Sequence, residues 1–338
     1  MARNLVQARY PCDLHCHTTR SDGYDSPREL IDRAVETGMY AIAITDHDIT
    51  PPARIQVADN QEIDAGLYAI QHGLILVPGY EFSTDTWVDE VHICGYYLDW
   101  DQPDLQDEVR AAAGSKSEAY RELCYRLTTL GMALDWETEI LHYTAPDGTP
   151  AKRTPDEVQR KHIFEAMAAN GHAESWSAAK LIVRDNPELN VRRRKIQPVD
   201  AINLIHRCGG VAVLAHPYLI DETIQTPETP LISRSDYIER LIAAGLDGIE
   251  VRYTYDKTTY QGVLSPEEIE AEIRTRYSKK VRILSGGSDY HAGQKKGEKK
   301  LRSLGERGLT IEEFETNFVR EIPQLFNQIE MNQKGARK

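Results

Sequence analysis

The residues of this chain best suited to chemistry are imidazoles and carboxylates that fall at the ends of apolar runs. His15-Cys16-His17 closes one such run, and Asp22 follows His17 by five residues within TTRSDG. His47 comes just after YAIAIT, Glu81 just after LILVPGY, and His92 lies inside EVHICGYYL. His216 ends GVAVLA, and Asp289-Tyr290-His291 ends VRILSGGS. In a strand, residues i and i+2 point to the same side, so His15 and His17 are placed to chelate one ion with Cys16 turned away. The same spacing joins Asp289 to His291, with Tyr290 turned outward. Imidazole mixed with carboxylate, without thiolate, suits Zn²⁺, Mn²⁺ or Fe²⁺ rather than a cysteine-bound structural zinc. Taken singly each residue is ordinary, since a strand-end histidine is most often a hydrogen-bonded structural group. Their coincidence along the chain is what points to a metal centre.

The elements that must position these side chains follow from patterning. Residues 40–45, 74–80, 90–98, 210–215, 248–252 and 281–285 read as short buried strands. Residues 26–37, 60–72, 200–208 and 235–244 read as helices, the first with Pro27 just past a serine cap. This alternation predicts a mainly parallel α/β fold, with a barrel as its expected form. The C-terminal ends of parallel strands converge on one face, where residues distant in sequence meet. From about 101 to 194 the rhythm stops: helical patterns cover 105–130 and 156–170, no strand is expected, and the basic run Arg192-Arg193-Arg194-Lys195 closes the segment. The expected organisation is a discontinuous barrel over 10–104 and 195–325, a helical insertion or lid over 105–194, and a frayed tail over 326–338.

At 338 residues, 41% hydrophobic and 28% charged, the composition is that of an ordinary globular protein. No apolar run approaches the ~20 residues of a membrane-spanning helix, so no membrane association is expected. The opening MARNLVQARYPCDL carries no apolar signal segment, which predicts a cytoplasmic protein. Five cysteines without a CxxC pair read as reduced, mostly buried thiols. The net charge of −13 disfavours wrapping of a long nucleic acid. A cationic metal centre can still attract phosphate locally, against the sign of the whole surface.

In combination, DLHCHTTRSDG, TDHD, PGYEFST, VHICGYYL, AHP and SGGSDYH resemble the PHP (polymerase and histidinol phosphatase) superfamily, through the N-terminal hundred residues and again from about 200 to 293. The resemblance implies a distorted (β/α)7 barrel with two or three divalent metal ions (Mn, Zn or Fe). It also implies phosphoester hydrolysis, as in most free-standing members. Carried over by position, it places one ion on His15, His17, Glu81 and Asp289, and a second on the shared Glu81 with His92 and His216. A third falls on Asp22, His47 and His291, with Asp22 standing where some members have His.

The expected activity is hydrolysis of a small phosphorylated metabolite (a nucleotide, a sugar phosphate or a cyclic phosphate) by a metal-activated hydroxide. His47 or His216 is the expected acid for the leaving alkoxide. Arg20, Arg160, Lys161 and Arg194 are the candidate phosphate clamps, and RKHIFEAMAANG resembles a pocket-forming segment of the small-molecule branch. The lysine-rich loop GQKKGEKKLRS is placed to steer anions. Trp87, Tyr97, Trp136, Phe164, Trp176 and Tyr218 are candidates for stacking on a base, with core packing the more ordinary role. Two alternatives stand beside this reading. One is a nuclease acting on short or terminal nucleotides; the other is a non-catalytic structural PHP module, although such modules commonly lose ligands and none is missing here.

Overall fold

Seven strands pair in chain order into one sheet: β1 (Cys12–Cys16), β2 (Ala41–Ile44), β3 (Ile75–Ser83), β4 (His92–Tyr96), β5 (Val211–Leu214), β6 (Gly248–Arg252) and β7 (Ile283–Gly286). The computed structural model that carries them describes residues 8–58, 60–144, 148–226, 229–258, 260–293, 301–322, 325 and 329. Most of the lysine-rich loop, 294–300, and the tail from 330 onward lie outside the described residues. The strands are buried almost throughout, as parallel strands covered on both faces must be. Residues just past β7 return to β1: His17 N donates to the Tyr290 carbonyl at 2.8 Å and Tyr290 N to the His15 carbonyl at 3.2 Å, so the sheet nearly closes into a barrel.

Two local features differ from the expected pattern and both matter for the site. Strand β4 runs antiparallel to β3 and β5, so its N-terminal residue, His92, reaches the face where the other strands bring their C-terminal ends. Strand β3 continues to Ser83, which puts Glu81 inside the strand rather than past it. A third difference lies at β7, which stops at Gly286; Asp289 adopts a φ of 52°. Strand alternation therefore does not govern residues 289–291.

Packing explains why β1 delivers two histidines. A register shift between Asp13 and Cys16 sends Leu14 into one hydrophobic cluster, with Ala41, Ala43 and Phe314, and Cys16 into the other, with Leu30, Ile31 and Ile42. Helix α1 (Pro27–Glu36) supplies Leu30, Ile31 and Ala34 to the second cluster and starts at a Ser26 cap reinforced by Glu29. Before helix α2 (Ala65–Gln71), residues 60–64 belong to a hairpin of Arg54–Ala58 with Gln61–Asp64, not to the expected helix. Here alternating burial wins, with Ile55 inward between exposed Arg54 and Gln56.

The chain divides into two units, Met1–Gln106 with Ile196–Lys338, and Asp107–Lys195. The second holds most of α3 (Pro103–Thr129), with α4 (Arg160–Ala169) and α5 (Trp176–Asp185), around a core that includes Leu127, Ile163, Phe164, Met167 and Val183. It also contains a small hairpin, His142–Thr144 with Pro150–Lys152, where no strand is expected. The first unit adds α6 (Pro198–Arg207), α7 (Arg234–Ala243) and α8 (Pro266–Tyr277). No helix among the described residues is long and apolar enough to cross a membrane.

Candidate metal centre

Glu81 sits fully buried on β3 with five imidazoles around its carboxylate. Oε2 lies 3.2 Å from His15 Nε2, 3.2 Å from His17 Nε2 and 3.0 Å from His47 Nδ1. Oε1 lies 2.9 Å from His92 Nδ1 and 3.2 Å from His216 Nε2. Asp289 Oδ1 adds a second carboxylate, 3.0 Å from His17 Nε2 and 3.6 Å from His15 Nε2. Asp22 Oδ1 lies 3.1 Å from His291 Nε2 and 3.6 Å from His17 Nδ1. All nine side chains expected at the centre therefore converge. His47 groups with Glu81 and His17, while Asp22 and His291 group with His17.

The donor atoms fit cations better than they fit one another. Among the described residues, His15 Nε2, His17 Nε2, His47 Nδ1 and Glu81 Oε2 are buried without a hydrogen-bond partner, despite their closeness. Crowded donors that fail to bond each other share a focus for a Lewis acid, and imidazole with carboxylate is a donor set for divalent metals. Electrostatics tells the same story with protons in place of metals. Burial disfavours the charged ring of His17, but Asp289 and Glu81 outweigh it and raise its pKa to about 9. His15 is likewise held well above the ordinary range, its burial overcome mainly by Glu81. Burial opposes ionisation of Glu81 too, yet His47, His15 and His92 hold its carboxyl well below the usual range.

Several residues that frame this cluster were not among the candidates read from the sequence, although Asp13 and Asp46 lie within DLHCH and TDHD. Glu250, on β6, places Oε1 3.4 Å from His15 Nδ1 and accepts the His216 backbone N–H on Oε2 at 2.8 Å. That second bond fixes a residue whose φ of 29° is strained for a non-glycine. Asp46 accepts from Thr18 N at 2.7 Å, Thr18 Oγ1 at 2.6 Å and Ser21 Oγ at 2.6 Å, which shapes the loop from His17 to Asp22. Asp13 accepts from Ser288 N and Gly305 N, both at 2.9 Å, tying β1 to the segment before Asp289. Tyr253 OH donates to Asp289 Oδ2 at 2.7 Å, and Arg302 pairs with the same carboxylate. The available signal was a charge inside a buried apolar strand, as in GIEVR or DLHC.

The remaining candidates separate cleanly. His72, His142 and His172 donate to backbone carbonyls at 2.7–2.8 Å, His206 bonds Asp247 at 2.7 Å, and His162 accepts from Gln159 N at 3.0 Å. These five lie outside the metal cluster. Cys12, Cys16 and Cys94 are buried, and burial raises each thiol far above the usual range, as suits packing rather than ligation. Arg20 lies on the His17–Asp22 loop, whereas Arg160, Lys161 and Arg194 belong to the second unit. Phe164 packs edge-on against Trp176 at 5.6 Å in that unit's core, and Trp136 and Tyr218 are also buried, while Trp87 is exposed.

A family model described as the PHP domain matches residues 13–122. The 5'-3' exoribonuclease Rnm of Salmonella typhimurium is 32% identical over 207 residues, which is 61% of this chain and 64% of that protein. The 5'-3' exoribonuclease of Haemophilus influenzae is 30% identical over 207 residues, 61% of this chain and 68% of that protein. A 3',5'-nucleoside bisphosphate phosphatase of Chromobacterium violaceum is 26% identical over 288 residues, covering 83% of this chain and 87% of that protein. The chain thus spans somewhat less than two thirds of the Salmonella relative's length.

Proposed function

The chain belongs to the PHP family, and from that premise we propose that it is a metal-dependent phosphoesterase acting on a small phosphorylated metabolite: a nucleotide or sugar phosphate, cyclic phosphates included. One observation carries this reading: the single buried carboxylate of Glu81 lies within 3.2 Å of five imidazole nitrogens from four segments of the chain. One carboxylate has too few lone pairs to satisfy five rings, whereas cations between them would satisfy all. Two or three divalent ions, of Mn, Zn or Fe type, would be held by His15, His17, Glu81, Asp289, His92, His216, His47, Asp22 and His291. Bound there, they would polarise phosphoryl oxygen and make a water nucleophilic near neutral pH.

The protein's own part is placement and proton handling. Glu250 sets the His15 ring and the His216 backbone, and Tyr253 with Arg302 fixes one oxygen of Asp289 so that the other faces the histidines. The His47 ring is 26% exposed, against 4% for His216. With Nδ1 turned to Glu81, His47 has Nε2 left to pass a proton to the departing oxygen. His216 is then better placed to hold metal than to donate. Arg20, Arg160, Lys161 and Arg194 are the proposed phosphate contacts.

A second reading, cleavage at the 5' end of a short RNA, draws support from the 32% and 30% identities to exoribonucleases. Turnover of nucleoside monophosphates, bisphosphates, cyclic phosphates and 5'-phosphorylated oligonucleotides under Mn²⁺ separates the two. The test of the centre itself is Glu81→Gln. Metal content by mass spectrometry and phosphate release are expected to fall together, at least a hundredfold for release. A metal-depleted Glu81→Gln protein with wild-type turnover would refute the assignment.

A further inference from the structure

We infer that four tyrosines form a relay that carries oxidising equivalents away from the metal centre when its ions are iron. The inference rests on the metal centre proposed above and not on which phosphoester it cleaves. The path starts at two histidines of the cluster. The ring centroid of Tyr253 lies 5.1 Å from that of His216 and 6.4 Å from that of His15, and its hydroxyl donates to Asp289 Oδ2 at 2.7 Å. Tyr255 follows at 5.0 Å from Tyr253, and beyond it the path forks to Tyr260 at 5.6 Å and Tyr218 at 6.2 Å. Every step lies within the range over which aromatic rings touch. Tyr253 and Tyr255 are buried on the segment that leaves β6, whereas Tyr218 and the half-buried Tyr260 line a cleft of about 670 Å³.

Packing alone does not call for hydroxyls here. Phenylalanine fills an apolar interior with the same ring and leaves no polar atom to satisfy, and the barrel core uses it where Phe314 stacks on Phe318 at 5.8 Å. All four positions on this path are tyrosine instead. Their buried hydroxyls are engaged: Tyr253 by Asp289, Tyr255 by the Tyr218 backbone N–H at 3.3 Å, and Tyr218 by the Glu272 carboxylate of α8. A phenol gives up one electron far more readily than a benzene ring does, and it releases its proton as it does so. The oxidant is hydrogen peroxide. It takes one electron from Fe²⁺, and its O–O bond breaks into hydroxide and a hydroxyl radical. The radical takes a hydrogen atom from Tyr253 and leaves as water. Tyr255 then restores Tyr253, and Tyr218 or Tyr260 restores Tyr255, an electron passing inward and a proton following at each step. The oxidised phenol ends at the cleft, where a thiol from solvent returns the hydrogen atom and becomes a thiyl radical. Without such a path the radical would attack the nearest imidazoles, His15 and His216, and destroy the centre's own ligands.

The test loads the full chain with Fe²⁺ in the absence of oxygen, measures its iron content and adds equimolar hydrogen peroxide. Freeze-quench electron paramagnetic resonance reads the tyrosyl radical, and peptide mass spectrometry reads oxygen adducts on Tyr218, Tyr260, His15 and His216. Iron-loaded wild type, iron-loaded Tyr255→Phe and zinc-loaded wild type are compared. Tyr255→Phe keeps the ring, so its iron content and phosphate release should match wild type. Oxidation at Tyr218 and Tyr260 is expected to fall about tenfold in this variant, because the middle ring presents a higher barrier, while adducts on His15 and His216 rise. Equal oxidation of Tyr218 and Tyr260 in Tyr255→Phe or in the zinc protein overturns the relay and leaves the metal centre standing. Iron-loaded wild type without a tyrosyl radical does the same. A protein that binds no iron sinks the metal centre and the relay together.

Discussion

Glu250 touches no substrate in the proposed chemistry, yet it bonds two members of the cluster, the His15 ring and the His216 backbone. Carboxylates that orient metal-bound histidines set ring tautomer and basicity, and their loss typically costs 10- to 100-fold in metal affinity. Glu250→Gln is therefore expected to weaken Mn²⁺ binding by about tenfold or more, with secondary structure retained. A competition titration with a fluorescent chelator reads this directly, and unchanged affinity would remove Glu250 from the site. The residue was hard to find in sequence because GIEVR reads as an ordinary strand with one polar position. His15, His17 and His216 were legible because imidazoles at strand ends are uncommon enough to register as a set. Asp13 and Asp46 were not, since a carboxylate beside a histidine also reads as a loop or a cap.

At the scale of elements, strands and helices were legible where a short apolar run was buried continuously, as in β2 and β6, or where a cap marked the start, as at Ser26 of α1. The hairpin over residues 54–64 was not, because its exposed face mimics a polar loop and its few apolar residues suit helix or strand equally. The reversed direction of β4 was also hidden, since direction is set by connection lengths and pairing rather than by pattern. Elements are also joined by charge at the C-terminal end of β6. Arg252 of β6 and Arg274 of α8 both donate to Glu313, at 2.6 Å and 2.9 Å for Arg252 and 2.9 Å for Arg274.

Burial would raise the pKa of Glu313, but the Arg252 fork, the Thr310 backbone N–H and Arg274 lower it from 4.5 to about 2. Glu270, which pairs with both arginines, is the other carboxylate of the network. Since the folded pKa lies below the unfolded one, the contribution is complete above about pH 5. It is lost as pH falls through about 2. Glu313→Gln should destabilise by about 2 kcal/mol near neutral pH. Urea unfolding should show the gap to wild type narrowing from about pH 6 to about pH 3.5. A gap of constant size would mean that the pairing contributes nothing through ionisation.

At the scale of the whole molecule, the proposed metals bind residues of one unit only, while each unit has hydrophobic clusters of its own. A ligand that binds only the folded form of a unit stabilises that form by mass action, by about 2.7 kcal/mol at a hundredfold excess over its Kd. For a unit the size of the barrel, each kcal/mol shifts Tm by roughly 2–4 °C. Adding EDTA should therefore lower the barrel's transition by roughly 5–10 °C. The insertion's transition should stay where it was, because its core of Leu127, Ile163, Phe164 and Met167 holds no proposed ligand. Without metal the barrel must keep His15, His17, Glu81 and Asp289 buried with only protons to balance charge, so the loss should be steeper where the histidines lack protons to share. Scanning calorimetry with tryptophan fluorescence resolves the two events, since Trp136 and Trp176 report on the insertion. A barrel transition indifferent to chelation would mean that the buried cluster is stabilised by its own proton-sharing pairs and not by cations.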